Sequence, residues 1–409
     1  MQTEKKAPFT PYERLVILIL AFTQFTIILD FMVMSPLGDI LIKAMDIRAN
    51  SFALAVSAYA FSAGASGLLT AGFADKYDRK KLLLFFYIGF VIGTLLCGLA
   101  NTLFTLVAAR IITGLFGGVI GAISMAIITD LFTLEKRGRV MGVVQMGFGA
   151  SQVLGIPIGL FIANRWGWEM PFFMISVLAI LIVIAIACWL RSVTEHLALQ
   201  SKENSLVHLY RTIANGDYRI GMAATALLSI GGFMLMPYAT VFAVNNLGIS
   251  HEQLPVLFMV SGCFSLVMMP ALGKLSDQID KYKLFAIASI GLMFMSIFYT
   301  QLGPTPFWVV LVFNVLITTT VIGRMVPSTA LVSAVPEQKD RGAFMSINSS
   351  LQQIAGGVGA TIAGMLVSQA GKDSVLAGYN YVGIVVACVS CISLLLLYLV
   401  KRIVMRKSS

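Results

Sequence analysis

An aspartate, Asp30, sits about midway along a long apolar run from Leu15 to Leu37, the only acidic residue deep inside any hydrophobic segment of the chain. An ionisable group at the centre of a bilayer costs on the order of 2.5–3.5 kcal/mol on insertion scales, so such residues persist where they do work. A carboxyl there binds a cation or a proton. Two arginines, Arg110 and Arg324, also lie within apolar runs. A carboxyl beside an arginine stays ionised, and one buried alone favours its protonated form. A pair whose separation changes would therefore take up and release a proton; the alternative is a static ion pair joining two helices. Arg324 either meets an anionic group or snorkels to the nearer interface. Other chemistry is not suggested. Cys97, Cys188, Cys263, Cys388 and Cys391 fall inside apolar runs, and the Cys388/Cys391 CxxC has no second Cys or His partner, so it reads as helix packing. His196, His208 and His251 lie in loops with no metal-ligand spacing. No nucleophile–base or cofactor constellation appears, which argues against an enzyme and implies no cofactor and no metal.

The elements that carry these residues follow from composition. Of 409 residues, 58% are hydrophobic and only 12% charged, with mean hydropathy +0.88; a soluble chain is about a quarter charged. Twelve runs approach or exceed the roughly 20 residues that span a bilayer: 15–37, 51–73, 82–100, 104–130, 140–164, 171–190, 220–244, 254–273, 284–302, 306–334, 343–369 and 379–400. Without strand-like alternation these are helices, because lipid leaves no backbone group unsatisfied. With the N-terminus inside, 23 Lys and Arg fall in inner segments and 4 in outer loops, so both termini are expected in the cytoplasm. The basic charge is thus accounted for by topology and anionic lipid, not by nucleic acid. Met1 to Glu13 runs into a full-length span without a small-residue cleavage site, so no cleaved leader is expected.

The chain is internally duplicated. Asp30 to Met34 (DFMVM) returns 202 residues later as Gly232 to Met236 (GFMLM), the loop acids Asp75 and Asp78 return as Asp277 and Asp280, and Arg137, Gly138 and Met141 return at an offset of 204 as Arg341, Gly342 and Met345. Two six-helix halves follow, 1–190 and 220–409, joined by a polar linker at 191–219 in which Leu197, Leu206, Leu209 and Tyr210 could form an amphipathic surface helix. The expected fold is an all-α membrane protein of twelve transmembrane helices in two pseudo-symmetric bundles, with substrate near the midplane between them. Asp30 matches Gly232, so the carboxylate belongs to one half only, which favours a functional reading over a structural one.

Residues 71–81 (AGFADKYDRKK) resemble the signature loop between helices 2 and 3 of the major facilitator superfamily, with Ala71 and Asp78 where that family usually has glycine. Arg110 to Gly114 (RIITG) resembles its helix 4 signature. Gly155 to Gly159 (GIPIG), followed by Gly167 and Trp168, resembles the helix 5 signature of its proton-driven exporters, though there Gly and Pro are more often adjacent. Asp30 and Phe31 with Asp39 and Ile40 look like the first helix of the drug and sugar efflux branch. The resemblance implies rocking halves with helices 1, 4, 7 and 10 lining a cavity, which puts Asp30, Arg110 and Arg324 on cavity helices. It also implies a latch: Asp75 at the N-terminus of helix 11 near Arg341, and Arg79 paired with Asp130, with Asp277 in the duplicated loop.

At 1.5 Å per residue, Asp30 is roughly 24 Å from the inner end of its helix and Arg110 roughly 9 Å from the outer end of its own, nearly the same level in a core about 30 Å thick. Gln24, Tyr59, Gln145, Gln152, Asn314, Asn348 and Gln352 are polar at membrane depth, and Phe31, Met34, Phe233, Met236 and Tyr238 flank the duplicated positions; these are the substrate-facing candidates, with lipid or core packing the plainer role for the apolar ones. Gly114, Gly117, Gly118 and Gly121, and Gly147, Gly155 and Gly159, allow close helix approach, and Pro157 can kink its helix. The expected protein is a monomeric secondary transporter of a bacterial inner membrane, exchanging protons for small organic molecules. The alternatives are an importer or uniporter of an anionic metabolite and a lipid transporter.

Overall fold

The computed structural model describes residues 9–70, 76–194, 197, 205–337, 340–371 and 374–408. The first helix begins where the sequence supplies a cap. Glu13 N–H donates to Thr10 Oγ1 at 3.2 Å and Thr10 N–H donates back to the Glu13 carboxylate at 2.7 Å, satisfying two of the donors that a helix start leaves open. From there α1 (Pro11–Val33) runs to a break at Ser35 and Pro36 and resumes as α2 (Gly38–Ala44). Then come α3 (Ala49–Thr70), α4 (Arg79–Gly98), α5 (Leu103–Leu131), α6 (Leu134–Ala150), α7 (Ile156–Trp166) and α8 (Met170–Trp189). A single turn of π-helix, Ser151–Gly155, joins α6 to α7 just before Pro157, whose missing N–H frees a carbonyl one turn earlier and lets the turn widen.

After α9 (Ser205–Ala214), the second bundle repeats the plan with α10 (Gly216–Leu235), α11 (Ala239–Asn245), α12 (Leu254–Gln278), α13 (Lys281–Tyr299), α14 (Phe307–Ser333), α15 (Arg341–Leu366) and α16 (Tyr379–Ser408). The break between α10 and α11, a 3-10 turn at Met236–Tyr238 around Pro237, falls 201 residues after Pro36. The first and seventh spans, expected as unbroken runs, are therefore each interrupted at a proline. Asp78 and Asp280 cap α4 and α13 in the same way, accepting from Lys80 N–H at 2.9 Å and Lys283 N–H at 3.0 Å. Among the described residues there are no strands, only a single bridge between Ser368 and Ala377.

Within the first bundle α4 packs on α5 and α8, and α1 on α6 and α8; within the second, α10 packs on α15 and α16, and α13 on α14 and α16. The two most extensive seams between the bundles are α3 against α15, and the π turn and α7 against α12. Among the described residues eleven helical spans, counting α6 with α7 and α10 with α11 as one each, are long and apolar enough to cross a bilayer. The twelfth, α15, is 26 residues long but less apolar, because it lies between α3 and α10. Its buried Gly356, Gly357, Gly359, Ala360, Ala363 and Gly364 serve close packing. A Cβ on Gly364 would come within 2.6 Å of the Ala53 methyl, and the one on Gly64 within 2.7 Å of the Ser350 carbonyl.

Candidate functional site

Asp30, Arg110 and Thr94 meet where α1, α5 and α4 converge. Arg110 Nη1 donates to Asp30 Oδ2 at 2.8 Å, and Thr94 Oγ1 donates to Asp30 Oδ1 at 3.2 Å. Both charged side chains are fully buried, so their attraction is felt in a dry, weakly screening medium. Arg110 Nε and Nη2 have no hydrogen-bond partner among the described residues; the guanidinium lies over the Tyr59 ring, 4.5 Å from its centroid.

Glycines place these groups. A Cβ on Gly93 would meet the Thr113 backbone at 2.7 Å, so α4 and α5 touch beside the pair. One on Gly114 would meet the Tyr59 carbonyl at 2.5 Å, and one on Gly118 the Ala63 Cα at 2.6 Å. That close approach of α3 to α5 brings the Tyr59 ring beneath Arg110. On α6, the π turn and α7, Gly147, Gly155 and Gly159 admit Phe25, Leu29 and Val33 of α1 in the same way.

Beside the pair, Phe31 packs on Tyr59 at 5.1 Å and across the bundle boundary on Phe233 at 5.6 Å between centroids. Phe31 and Phe233 are equivalent positions of the repeat, so their contact marks the pseudo-two-fold axis. The other positions matching the charged pair carry no charge. A Cβ on Gly232 would meet no atom within 4 Å, and Asn314, 204 residues after Arg110, accepts from Ser261 Oγ at 2.8 Å. Gln152, in the π turn, accepts from Ser265 Oγ at 2.8 Å and lines a cleft of about 180 Å³ with Phe148, Met269, Thr318 and Met325.

The remaining sequence candidates are scattered. Gln24 is half-buried on α1 and Gln145 and Gln352 are exposed. Met34 is buried in the core. The Met236 carbonyl accepts from Ser35 Oγ, and Tyr238 OH donates to the Ala49 carbonyl at 2.9 Å, both across the bundle boundary. Asn348 is buried, with Oδ1 unpartnered among the described residues. Arg324 is 5% exposed, lies over Phe285 at 5.6 Å, and has Nε and Nη2 unpartnered among the described residues.

At the end of the bundles that carries the termini, Arg79 Nε donates to Asp130 Oδ2 at 3.2 Å. Asp75 lies outside the described residues. Asp277 is exposed, 3.9 Å from Lys281 on the next turn, and Arg341 is exposed in the first turn of α15. These two are not drawn into the Arg79–Asp130 pair.

Sequence reasoning passed over a polar cluster at the opposite end. Asp39 accepts from Asn245 Nδ2 at 2.6 Å and lies 3.0 Å from Lys43 Nζ and 3.2 Å from His251 Nε2. Lys43 Nζ also reaches Asn245 Oδ1 at 3.5 Å, and Asn164 Nδ2 donates to the His251 carbonyl at 2.8 Å. Lys43 and Asn245 are 202 residues apart, the offset of the repeat; that coincidence was the available signal.

With this geometry in view, the relatives are informative. The family described as Major Facilitator Superfamily matches over residues 20–333 and 221–408. An uncharacterized MFS-type transporter of Bacillus subtilis, YceJ, is 22% identical over 87% of this chain and 90% of its own length. Multidrug resistance protein 2 of the same organism is 24% identical over 68% of this chain and 71% of its own. A solved bacterial homolog of the human lysosomal transporter Spinster, inward-facing and unoccupied, superposes with a TM-score of 0.78 at 14% identity, covering 98% of this chain and 99% of that one.

Proposed function

Since this chain belongs to the Major Facilitator Superfamily and is a membrane transporter, not an enzyme, we propose that it is a proton-coupled exporter of small organic molecules working by alternating access. One observation carries the reading: a dry carboxylate–guanidinium pair between α1 and α5, present in one bundle and replaced by Gly232 and Asn314 in the other.

The pair holds one positive and one negative charge. A proton on Asp30 Oδ2 takes the place of the Arg110 N–H and leaves Arg110 as an uncompensated cation. At roughly 7 Å and an effective dielectric of about 20, that charge repels a cationic substrate by about 2 kcal/mol. Proton entry thus expels substrate, and substrate entry, by favouring the paired state, releases the proton. Each elementary charge moved through 100 mV contributes about 2.3 kcal/mol. Phe31, Tyr59 and Phe233, with the Met- and Phe-lined cleft at Gln152, offer an adaptable apolar surface with few polar groups, which suits flat organic cations and neutral aromatics. Gln24, Gln145, Asn314, Asn348 and Gln352 are candidate polar contacts, and Met34, Met236 and Tyr238 shape the closed end. A relative named for multidrug resistance supports export of varied small molecules.

In this reading Arg79 and Asp130 latch the end carrying the termini. The halves 1–190 and 220–409 rock about the linker 191–219. Both termini face the cytoplasm of a bacterial inner membrane, by the distribution of Lys and Arg, and the monomer is the transporting unit. Arg324 supports a second reading, uptake of an anionic metabolite, because it is buried without a hydrogen-bonded partner for Nε and Nη2 among the described residues.

The test is transport into everted vesicles energised by a pH gradient, with a panel of cationic dyes, neutral aromatics, sugars and organic anions. The exporter predicts that cationic or neutral aromatic compounds accumulate and dissipate the gradient on addition. Accumulation of organic anions alone, independent of the gradient, would overturn it in favour of the Arg324 reading.

A further inference from the structure

The cluster around Asp39 has no part in the coupling site, yet it is where titratable groups of both bundles meet. Asp39 and Lys43 come from α2 of the first bundle; Asn245 ends α11 and His251 follows it, both in the second. The Asp39 side chain is 1% exposed and that of His251 37% exposed. Asp39 Oδ2 faces Lys43 and His251 at ion-pair distance without a well-aligned N–H from either, and His251 Nδ1 is buried without a partner among the described residues. The imidazole therefore has one polar attachment, a carboxylate of the opposite bundle. The other charged groups on the elements that pack here are Asp46 and Arg48 after α2, Arg165 on α7, whose guanidinium lies 5.5 Å from the Trp166 ring centroid, and Glu252 next to the histidine.

We propose that Asp39 and His251 form a proton-operated clamp that holds the two bundles together at the end remote from the termini. Burial works against ionising Asp39, but the nearby His251 and Lys43 and the Asn245 amide outweigh it and hold the carboxyl below its ordinary range, so it remains an anion through neutral pH. A second proton on the imidazole then adds a cation beside that anion only while the bundles are closed. Acid therefore favours the closed arrangement, the only one in which that cation meets the Asp39 carboxylate at 3.2 Å. Lys43 stays on Asp39 at either pH, so the clamp weakens without vanishing. On the orientation proposed above, acid outside holds the transporter inward-facing, a throttle separate from the proton consumed at Asp30.

This inference rests on the alternating-access reading, and the experiment separates the two. Spin labels go on the exposed outer-loop positions Asn101→Cys and Gln301→Cys, with Cys188, Cys263, Cys388 and Cys391 changed to serine and buried Cys97 retained. Inter-label distances are recorded in nanodiscs at about pH 5.5 and about pH 8.5. The closed-to-open ratio is expected to rise about two- to fivefold in acid, the range of a partly exposed ion pair. The rise should persist in Asp30→Asn and disappear in His251→Gln, while His251→Lys stays closed at both values. A response that persists in His251→Gln, or a wild-type ratio unchanged between the two pH values, overturns the clamp. A response lost in Asp30→Asn but kept in His251→Gln assigns it to the coupling site instead.

Discussion

Replacing Arg110 by Met removes the cation and keeps most of the side-chain volume. Asp30 then lies fully buried with Thr94 Oγ1 as its remaining side-chain donor. Removing one partner of a buried ion pair costs about 3–5 kcal/mol, because the other is left uncompensated. Asp30→Asn leaves Arg110 in the same position, with Tyr59 beneath it. The double variant Asp30→Asn, Arg110→Met removes both charges, keeps an amide for Thr94 and is expected to regain most of the loss, since well-packed neutral replacements of buried pairs are often close to neutral. In detergent, each single variant should melt on the order of 5 °C below wild type and the double within about 2 °C of it. Thermal melting followed by size exclusion reads this directly, and none of the three variants should drive uphill transport. Additive losses, with the double melting as far below wild type as the two singles combined, would show that the groups are not energetically coupled and would refute the argument.

Four further outcomes follow from contacts elsewhere. Gly118→Ala, whose methyl would sit 2.6 Å from Ala63, should force α3 from α5 and cost about 1–3 kcal/mol. Gly273→Ala, which meets nothing within 4 Å, should leave melting unchanged or slightly raised. Asp130→Asn, by weakening its contact with Arg79, should lower turnover with substrate affinity retained, read by transport and equilibrium binding on the same preparation. Lys401, 2.6 Å from Asp280, holds that carboxyl below its ordinary range against the opposing effect of burial. Its contribution is complete above about pH 4 and is lost as pH falls through the lowered value, so Asp280→Asn should melt earlier at neutral pH and show a flatter acid slope.

Much of this architecture was written in the residues, for identifiable reasons. Lipid excludes charge, so the spans stood out, and the same exclusion made Asp30 and Arg110 conspicuous and set them at one depth. The breaks after Val33 and Leu235 were carried by Pro36 and Pro237, but the apolar residues around them read as continuous runs. The low apolarity of α15 became intelligible only once α3 and α10 were seen to enclose it. Asp39, Lys43 and His251 were less legible because charge near a helix end is ordinary, and nothing local says that two such ends meet. The substrate candidates were legible only as polarity at depth, which does not separate Gln152, bonded to Ser265 beside a cleft, from Gln145, which is exposed.

The account stands most directly on Asp30 as the group that exchanges substrate for protons. Reconstituted wild type and Asp30→Asn can be compared for two reactions of one labelled substrate: exchange between equal concentrations without a pH gradient, and accumulation driven by one. The account predicts that Asp30→Asn keeps measurable exchange, because the bundles still rock, and loses gradient-driven accumulation entirely. Accumulation by Asp30→Asn at the wild-type level would contradict it and leave the buried pair as packing alone.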